Sequence, residues 1–332
     1  MSEHIKFAIW KKEMNTSSIM ILTLYSSSIL CILMNSWLSI WMFLEINTLA
    51  FCSMIKSILK KSKESFPESS MKYFIIQSIS SSILLFSSML TKEFPKNEMI
   101  IMMMIGPLII KMAASPFHEW FIKMIKKISW KNATILMTWQ KLAPVYLIMF
   151  FKKCLVLPFI LASMILGTIL QLNKKIFMEI MGFSSVSNLG WMLMSISLST
   201  KMFFLFTSIY WLSVASSMLL ISSTNQKQIN MEPESTKEKI ITLSIMANLA
   251  AIPPFSNFLA KWMLISEMLK INISLLTSML LVLMSINLFI YMRMLSKFSL
   301  FTVKEKMKPN NSPSAKLFVL FLTMNSFPLM MI

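Results

Sequence analysis

Ile109-Ile110-Lys111-Met112-Ala113-Ala114-Ser115-Pro116-Phe117-His118-Glu119-Trp120 is the stretch on which the fold turns. The apolar run before it, Met99 to Ile110, would otherwise read as ordinary membrane helix. Then a lysine appears, and five residues later a proline. A charged side chain at the centre of a bilayer costs about 2.5–3.5 kcal/mol on insertion scales. Proline removes a backbone donor and disfavours helix at the residue before it. In lipid, freed backbone groups are tolerated only where protein or a wet cavity satisfies them. A lysine and a break this close together point to a polar site inside a helix bundle.

The rest of the chain supplies the bundle. Its 332 residues are 56% hydrophobic, with a mean hydropathy of +0.67. The apolar residues fall in continuous runs of membrane-spanning length, not the alternating ten-residue segments of a transmembrane barrel. The reading is an all-α polytopic membrane protein. Four glycines leave no glycine-rich nucleotide loop. Cys31, Cys52 and Cys154 lack ligand spacing and read as apolar fillers. With two histidines and no aspartate, a haem pair, an iron–sulfur cluster or a classical zinc site is excluded. The sole arginine is Arg293, while Met, Ile, Phe, Lys, Ser and Asn abound, as in proteins coded by AT-rich organelle genomes. No cleavable signal peptide is expected, because the first apolar stretch is followed directly by another.

Eleven spans are expected, at about 15–34, 37–55, 73–91, 98–115, 132–151, 154–171, 177–198, 202–223, 239–258, 272–294 and 315–332. The piece 255–270, after Pro253-Pro254, reads as the second half of a broken ninth span. With loops on alternating sides, 23 of the 32 basic residues fall on the N-terminal side, six opposite and three inside spans. This asymmetry places the N-terminus on the positive side, cytosol or matrix, and the C-terminus opposite. It explains the +18 charge better than nucleic-acid binding does. No loop is long enough to be a soluble domain, so one transmembrane domain, 1–332, is expected.

Four ionisable residues interrupt the spans: Glu45, Lys111, Lys141 and Lys261. Glu45 either faces a cation or stays protonated in a structural hydrogen bond. Lys141, three residues before Pro144, is either a buried amine or one that snorkels to the interface. Lys261 follows the Pro-Pro pair and reads as a buried amine or an interfacial loop lysine. His118 stands as a proton donor or acceptor, or as a capping group. Thr138, Gln140, Ser184, Ser185, Ser187, Asn188 and Asn248 can hold water beside these groups or simply pack helices. A buried amine holds its proton less tightly through desolvation and more tightly beside a carboxylate. Amines so balanced and joined by water form a proton relay.

Pro116-Phe117-His118-Glu119-Trp120-Phe121-Ile122-Lys123 is echoed by Pro254-Phe255-Ser256-Asn257-Phe258-Leu259-Ala260-Lys261, at an offset of 138 residues. Proline-interrupted segments in corresponding places of two halves point to an inverted-repeat transporter. The fourth and ninth spans stand five apart, so two five-helix repeats are expected, roughly 73–171 and 177–294, each with a discontinuous helix.

These residues resemble the antiporter-like membrane-arm subunits of respiratory complex I, mitochondrial NADH–ubiquinone oxidoreductase, and among them the subunit 2 family of invertebrate animals. The matching stretches are Asn35-Ser36-Trp37 with Leu44-Glu45-Ile46-Asn47; Lys72-Tyr73-Phe74; Lys111 with Ala114-Ser115-Pro116-Phe117-His118 and Trp120; Thr138-Trp139-Gln140-Lys141-Leu142-Ala143-Pro144; Phe183-Ser184-Ser185 with Leu189-Gly190-Trp191-Met192; and Pro253-Pro254-Phe255 with Lys261-Trp262. The resemblance implies proton translocation driven by quinone reduction elsewhere in the complex. It makes Glu45 the carboxylate paired with Lys111, Lys141 the connecting lysine and Lys261 the lysine of the exit-side half. It assigns no cofactor to this chain; NADH, FMN, iron–sulfur clusters and ubiquinone belong to the complex. It implies neighbouring membrane-arm and accessory subunits and lipid as partners, the mitochondrial inner membrane as location, a matrix N-terminus and an intermembrane-space C-terminus. The chain departs from the family at Asn188, where relatives carry histidine, at Glu179, where they carry a basic run, and at Ala250 and Ala251, where they carry glycine. Two other functions remain open on the residues: a stand-alone cation/proton antiporter, and a scaffold whose lysines do not pump.

Overall fold

Helix runs as long as the apolar sequence is uninterrupted and stops where proline and buried charge fall together. In a computed structural model, residues 2–59, 67–94, 96–224, 236–253, 255–272 and 274–300 are described. The expected eleventh span, 315–332, lies outside them, as do Pro254 and the loop lysines Lys60, Lys61, Lys63, Lys227, Lys304, Lys306, Lys308 and Lys316. Every regular element among the described residues is helical.

The chain divides into two compact units, Met1–Val156 and Leu157–Ile332. In the first, α1 (Ser2–Leu33), α2 (Trp37–Leu59) and α3 (Pro67–Glu93) pack in sequence, and α3 packs on α4 (Glu98–Met112). After a break comes α5 (Glu119–Ile125), which returns to α3, then α6 (Trp130–Met137) and α7 (Leu142–Ile148). α8 (Lys153–Gln171) leads into the second unit. There α9 (Phe177–Leu198) and α10 (Thr200–Thr224) are followed by the broken pair α11 (Thr236–Leu249) and α12 (Ser256–Lys270), and then α13 (Ser274–Leu300). Among the described residues, five helices, α2, α3, α8, α10 and α13, contain stretches long and apolar enough to cross a membrane.

Both proline-marked breaks end their first helix in the same way. Ala113 and Ala251 take the left-handed conformation, with φ of 60° and 56°. The amide of Ala113 donates to Ile110 O (3.0 Å) and that of Ala114 to Ile109 O (3.1 Å). Ala251 donates to Asn248 O (3.0 Å) and Ile252 to Ala247 O (3.2 Å). Each pair is a Schellman cap, the device that satisfies the last carbonyls of a helix. A third bond repeats as well: Phe117 to Ala114 O and Phe255 to Ile252 O, both 2.9 Å. All three recur at the 138-residue offset of the sequence echo. Alanine stands where glycine is usual, at a cost of about 1–3 kcal/mol for a non-glycine residue held left-handed.

The expected fifth span, 132–151, is divided rather than continuous. A 3-10 turn, Trp139–Lys141, joins α6 to α7. Pro144 explains it, because its ring would clash with the carbonyl four residues earlier. In the second unit α9 is buried on nearly every side, and it approaches α8 closely. A Cβ on Gly167 would lie 2.7 Å from the Ser187 backbone nitrogen, and one on Gly190 would meet Met164 Cγ at 2.3 Å. Small residues permit such approaches between membrane helices, where packing drives association.

Gly167→Ala is expected to lower the thermal midpoint of the protein in its native membrane assembly, since overpacking against rigid backbone costs about 1–3 kcal/mol. Gly106→Ala, where nothing lies within 4 Å of the added methyl, leaves that midpoint unchanged. Thermal unfolding followed for the two variants side by side checks the close packing.

Candidate functional site

α2 carries Glu45, Asn47 and Thr48 along one turn. Ser81 of α3 donates its hydroxyl to Glu45 Oε1. Thr48 Oγ1 lies 3.3 Å from Glu45 Oε2 and 2.8 Å from Glu45 O. Lys111 occupies the last turn of α4, 7% exposed, and its Nζ donates to the Gln77 carbonyl of α3 at 3.3 Å. This amine and Glu45 make no ion pair within 4 Å; the side-chain ion pairs among the described residues lie elsewhere.

Lys141 ends the 3-10 turn and is 2% exposed. Its two neighbours fasten the turn. Trp139 Nε1 donates to Ser28 Oγ (2.6 Å) and its ring stands edge-on to Tyr25, with centroids 4.5 Å apart. Gln140 Nε2 donates to Asn47 Oδ1 at 3.0 Å. The Lys141 amine sits 5.0 Å from the centroid of Phe121, on the helix that follows the break. A cation over a desolvated ring gains up to about 2 kcal/mol.

Lys111 and Lys141 line one cavity. Asn47, Thr48, Gln77 and Gln140 give it a polar lining, and Tyr73, Met112, Trp120, Phe121 and Pro144 close it. Its water-accessible volume is about 20 Å³, room for about one water. Gln77 Nε2 is buried and has no protein acceptor. The first unit therefore brings Glu45, Lys111 and Lys141 together through Thr48 and this cavity. His118, 6% exposed, does not line it. Its Nδ1 lies 3.2 Å from Ser115 Oγ, across the turn of the break, and its side chain makes no capping bond to α5.

In the second unit Lys261 lies on α12, 5% exposed, with Nζ 5.9 Å from the centroid of Trp191 on α9. Asn257 Nδ2 donates to Asn248 O (3.1 Å) and ties α12 to the end of α11. The sequence echo aligns Lys261 with Lys123, which is exposed and paired with Glu119 at 2.9 Å. The buried amines thus sit on opposite sides of their breaks, Lys111 before and Lys261 after. Ser184, Ser185 and Ser187 donate to carbonyls of their own helix at 2.7–2.9 Å. Asn188 is partly exposed. Glu179 is buried and lies 3.9 Å from Lys174, which accounts for an acid at that helix edge.

Several polar groups here were not anticipated. Gln77 is the only carboxamide in the run 73–91, and that isolation is a usable signal. Tyr210 lies near Ser185, and Tyr291 near Ser184 and Gln171, with both tyrosine hydroxyls buried. Only the tertiary packing gathers these residues from four helices.

Residues 34–288 match the family model described as NADH:quinone oxidoreductase/Mrp antiporter, TM. NADH-ubiquinone oxidoreductase chain 2 of Anopheles gambiae is 33% identical over 290 residues, 84% of each chain. That of Aedes aegypti is 34% identical over 331 residues, 95% of each. The chain belongs to the NADH-ubiquinone oxidoreductase chain 2 family. Its fold is that of a chain of respiratory complex I from Thermus thermophilus, with a TM-score of 0.78 at 15% identity, covering 95% of this chain and 79% of that one. Membership accounts for the collinear blocks noted above, from Asn35 to Trp262. Within this chain, the amines of Lys141 and Lys261 each lie against an aromatic ring.

A charge buried against apolar surface carries a desolvation cost that an apolar residue of similar volume does not. Lys261→Met is therefore expected to leave the thermal midpoint of the membrane assembly unchanged or to raise it. A fall of several degrees would show that the amine serves the fold.

Proposed function

We propose that this chain is a proton-translocating membrane-arm subunit of respiratory complex I in the mitochondrial inner membrane. Protons move through Glu45, Lys111, Lys141 and Lys261, coupled to NADH:ubiquinone electron transfer in other subunits. The chain contributes to the NADH:ubiquinone reductase activity of the complex and holds no redox centre of its own. NADH, FMN, iron–sulfur clusters and ubiquinone are bound by its partners. Neighbouring antiporter-like subunits, small core subunits and accessory subunits pack around it within the lipid. Its N-terminus faces the matrix and its C-terminus the intermembrane space.

The observation that carries this reading is the shared cavity of Lys111 and Lys141, with Glu45 bonded to Thr48 on its wall. Charges a few ångströms apart in low dielectric interact by several kcal/mol. A proton arriving at one amine therefore drives the next to release its own. The cavity lets a single water pass the proton from Lys111 to Lys141. Lys261 receives it in the second five-helix repeat, inverted with respect to the first. His118 is a further proton acceptor at the break. The paired Schellman ends support the repeat reading, since the same local solution appears in both halves.

Lys111→Met and Lys261→Met in the assembled complex test the relay. Quinone reduction and proton yield in sealed vesicles are expected to fall roughly tenfold or more, as for the loss of an acid–base group. Unchanged electron transfer and unchanged protons per electron, with normal assembly, would leave the chain a scaffold.

A further inference from the structure

Two hollows lie side by side in the first unit. One is the Lys111–Lys141 cavity of about 20 Å³. The other is a groove of about 630 Å³ between α3 and the segment that runs from the break through α5. At two places helix backbone divides them. Ile76 of α3 lines the groove and Gln77 the cavity; Ile110 of α4 lines the groove and Lys111 the cavity. Two residues line both hollows, Tyr73 and Trp120. At each of these, one side chain has a face on both. Their ring centroids are 5.9 Å apart. Tyr73 is 3% exposed and stands edge-on to Phe51, with centroids 5.2 Å apart. Trp120 stands edge-on to Phe121, at 6.0 Å, and Phe121 is the ring on which the Lys141 amine sits. Trp120 Nε1 is buried without a hydrogen-bond partner, so ring packing and not a polar bond holds the indole.

We infer that Trp120, with Tyr73 beside it, seals the Lys111–Lys141 cavity from the groove and keeps protons on the relay from escaping sideways. The inference rests on the relay proposed above. Protons move along hydrogen-bonded chains whose members both accept and donate. An indole donates only, so Trp120 interrupts such a chain. Its apolar ring also keeps out the water that would bridge the two hollows, and excluding water prevents proton leakage from a reacting site. The seal matters because the groove reaches Lys127, in the loop that follows α5. A proton entering the groove is returned to that side of the membrane without crossing. Tyr73 carries a hydroxyl that can both donate and accept, so tightness depends on the indole. Trp120 holds no proton itself; it confines those held by Lys111 and Lys141.

The test uses the assembled complex in sealed vesicles. The readouts are protons moved per electron and passive proton conductance in the absence of NADH. In Trp120→Ala, quinone reduction is expected to continue while protons per electron fall and conductance rises severalfold. Trp120→Val, smaller than indole but still apolar, is expected to behave in the same way and serves where the alanine variant does not assemble. Phe117→Ala removes a ring that lines the groove and not the cavity, and leaves both readouts unchanged. Unchanged conductance and proton yield in an assembled Trp120 variant, or an equal leak in Phe117→Ala, would overturn the seal. Lys111→Met, measured alongside, separates the two readings. If it abolishes pumping while the Trp120 variants stay tight, the seal fails and the relay stands. If it changes nothing while Trp120→Ala leaks, the relay fails and the wall stands.

Discussion

An amine held away from water within apolar helices is the constraint on which this structure depends. Each one costs about 2.5–3.5 kcal/mol on insertion scales unless polar groups meet it. Among the described residues there are three, Lys111, Lys141 and Lys261, all at most 7% exposed. Two of them meet ends or interruptions of helix. Lys111 sits in the turn that the Ala113 cap terminates, and Lys141 in the 3-10 turn before α7. Lys261 is different, lying within α12 beyond its break and against an indole ring. Broken backbone and aromatic faces thus do the work that water does at a protein surface.

The breaks are themselves kept in order by ordinary rules. A helix that stops in lipid must satisfy its last carbonyls. The Schellman bonds do so at both places, and Asn257 adds a side-chain donor at the second. Alanine in the left-handed region is the local strain that results, and the buried packing of Ala113 and Ala251 sustains it.

Much of this was legible in the residues. Apolar runs marked the helices, and Pro116 and Pro253 marked the breaks, because a missing donor and a large apolar run have few compatible outcomes. The four intramembrane ionisable groups stood out by their cost alone. Pro144 warned of trouble before it, though not that the helix would pass through a 3-10 turn. The clamps were not legible. Trp139 reaches Ser28 across 111 residues and Gln140 reaches Asn47 across 93, and no local pattern encodes such pairs. The echo at Lys123 and Lys261 also misled in one respect. It aligned an exposed, paired lysine with a buried one, because the match tracked the break and not the amine.

The proposed relay requires that the break and the turn keep water between two buried amines. Gln77 Nε2, buried without a protein acceptor on the cavity wall, needs such a water. A density map of the assembled complex, sharp enough to show ordered water, measures this directly. One water is expected in the space bounded by Thr48, Gln77, Gln140 and the two lysines, accepting from Gln77 and within hydrogen-bond reach of an amine. A dry cavity, or one closed by Lys111 and Lys141 moving apart behind apolar side chains, would contradict it.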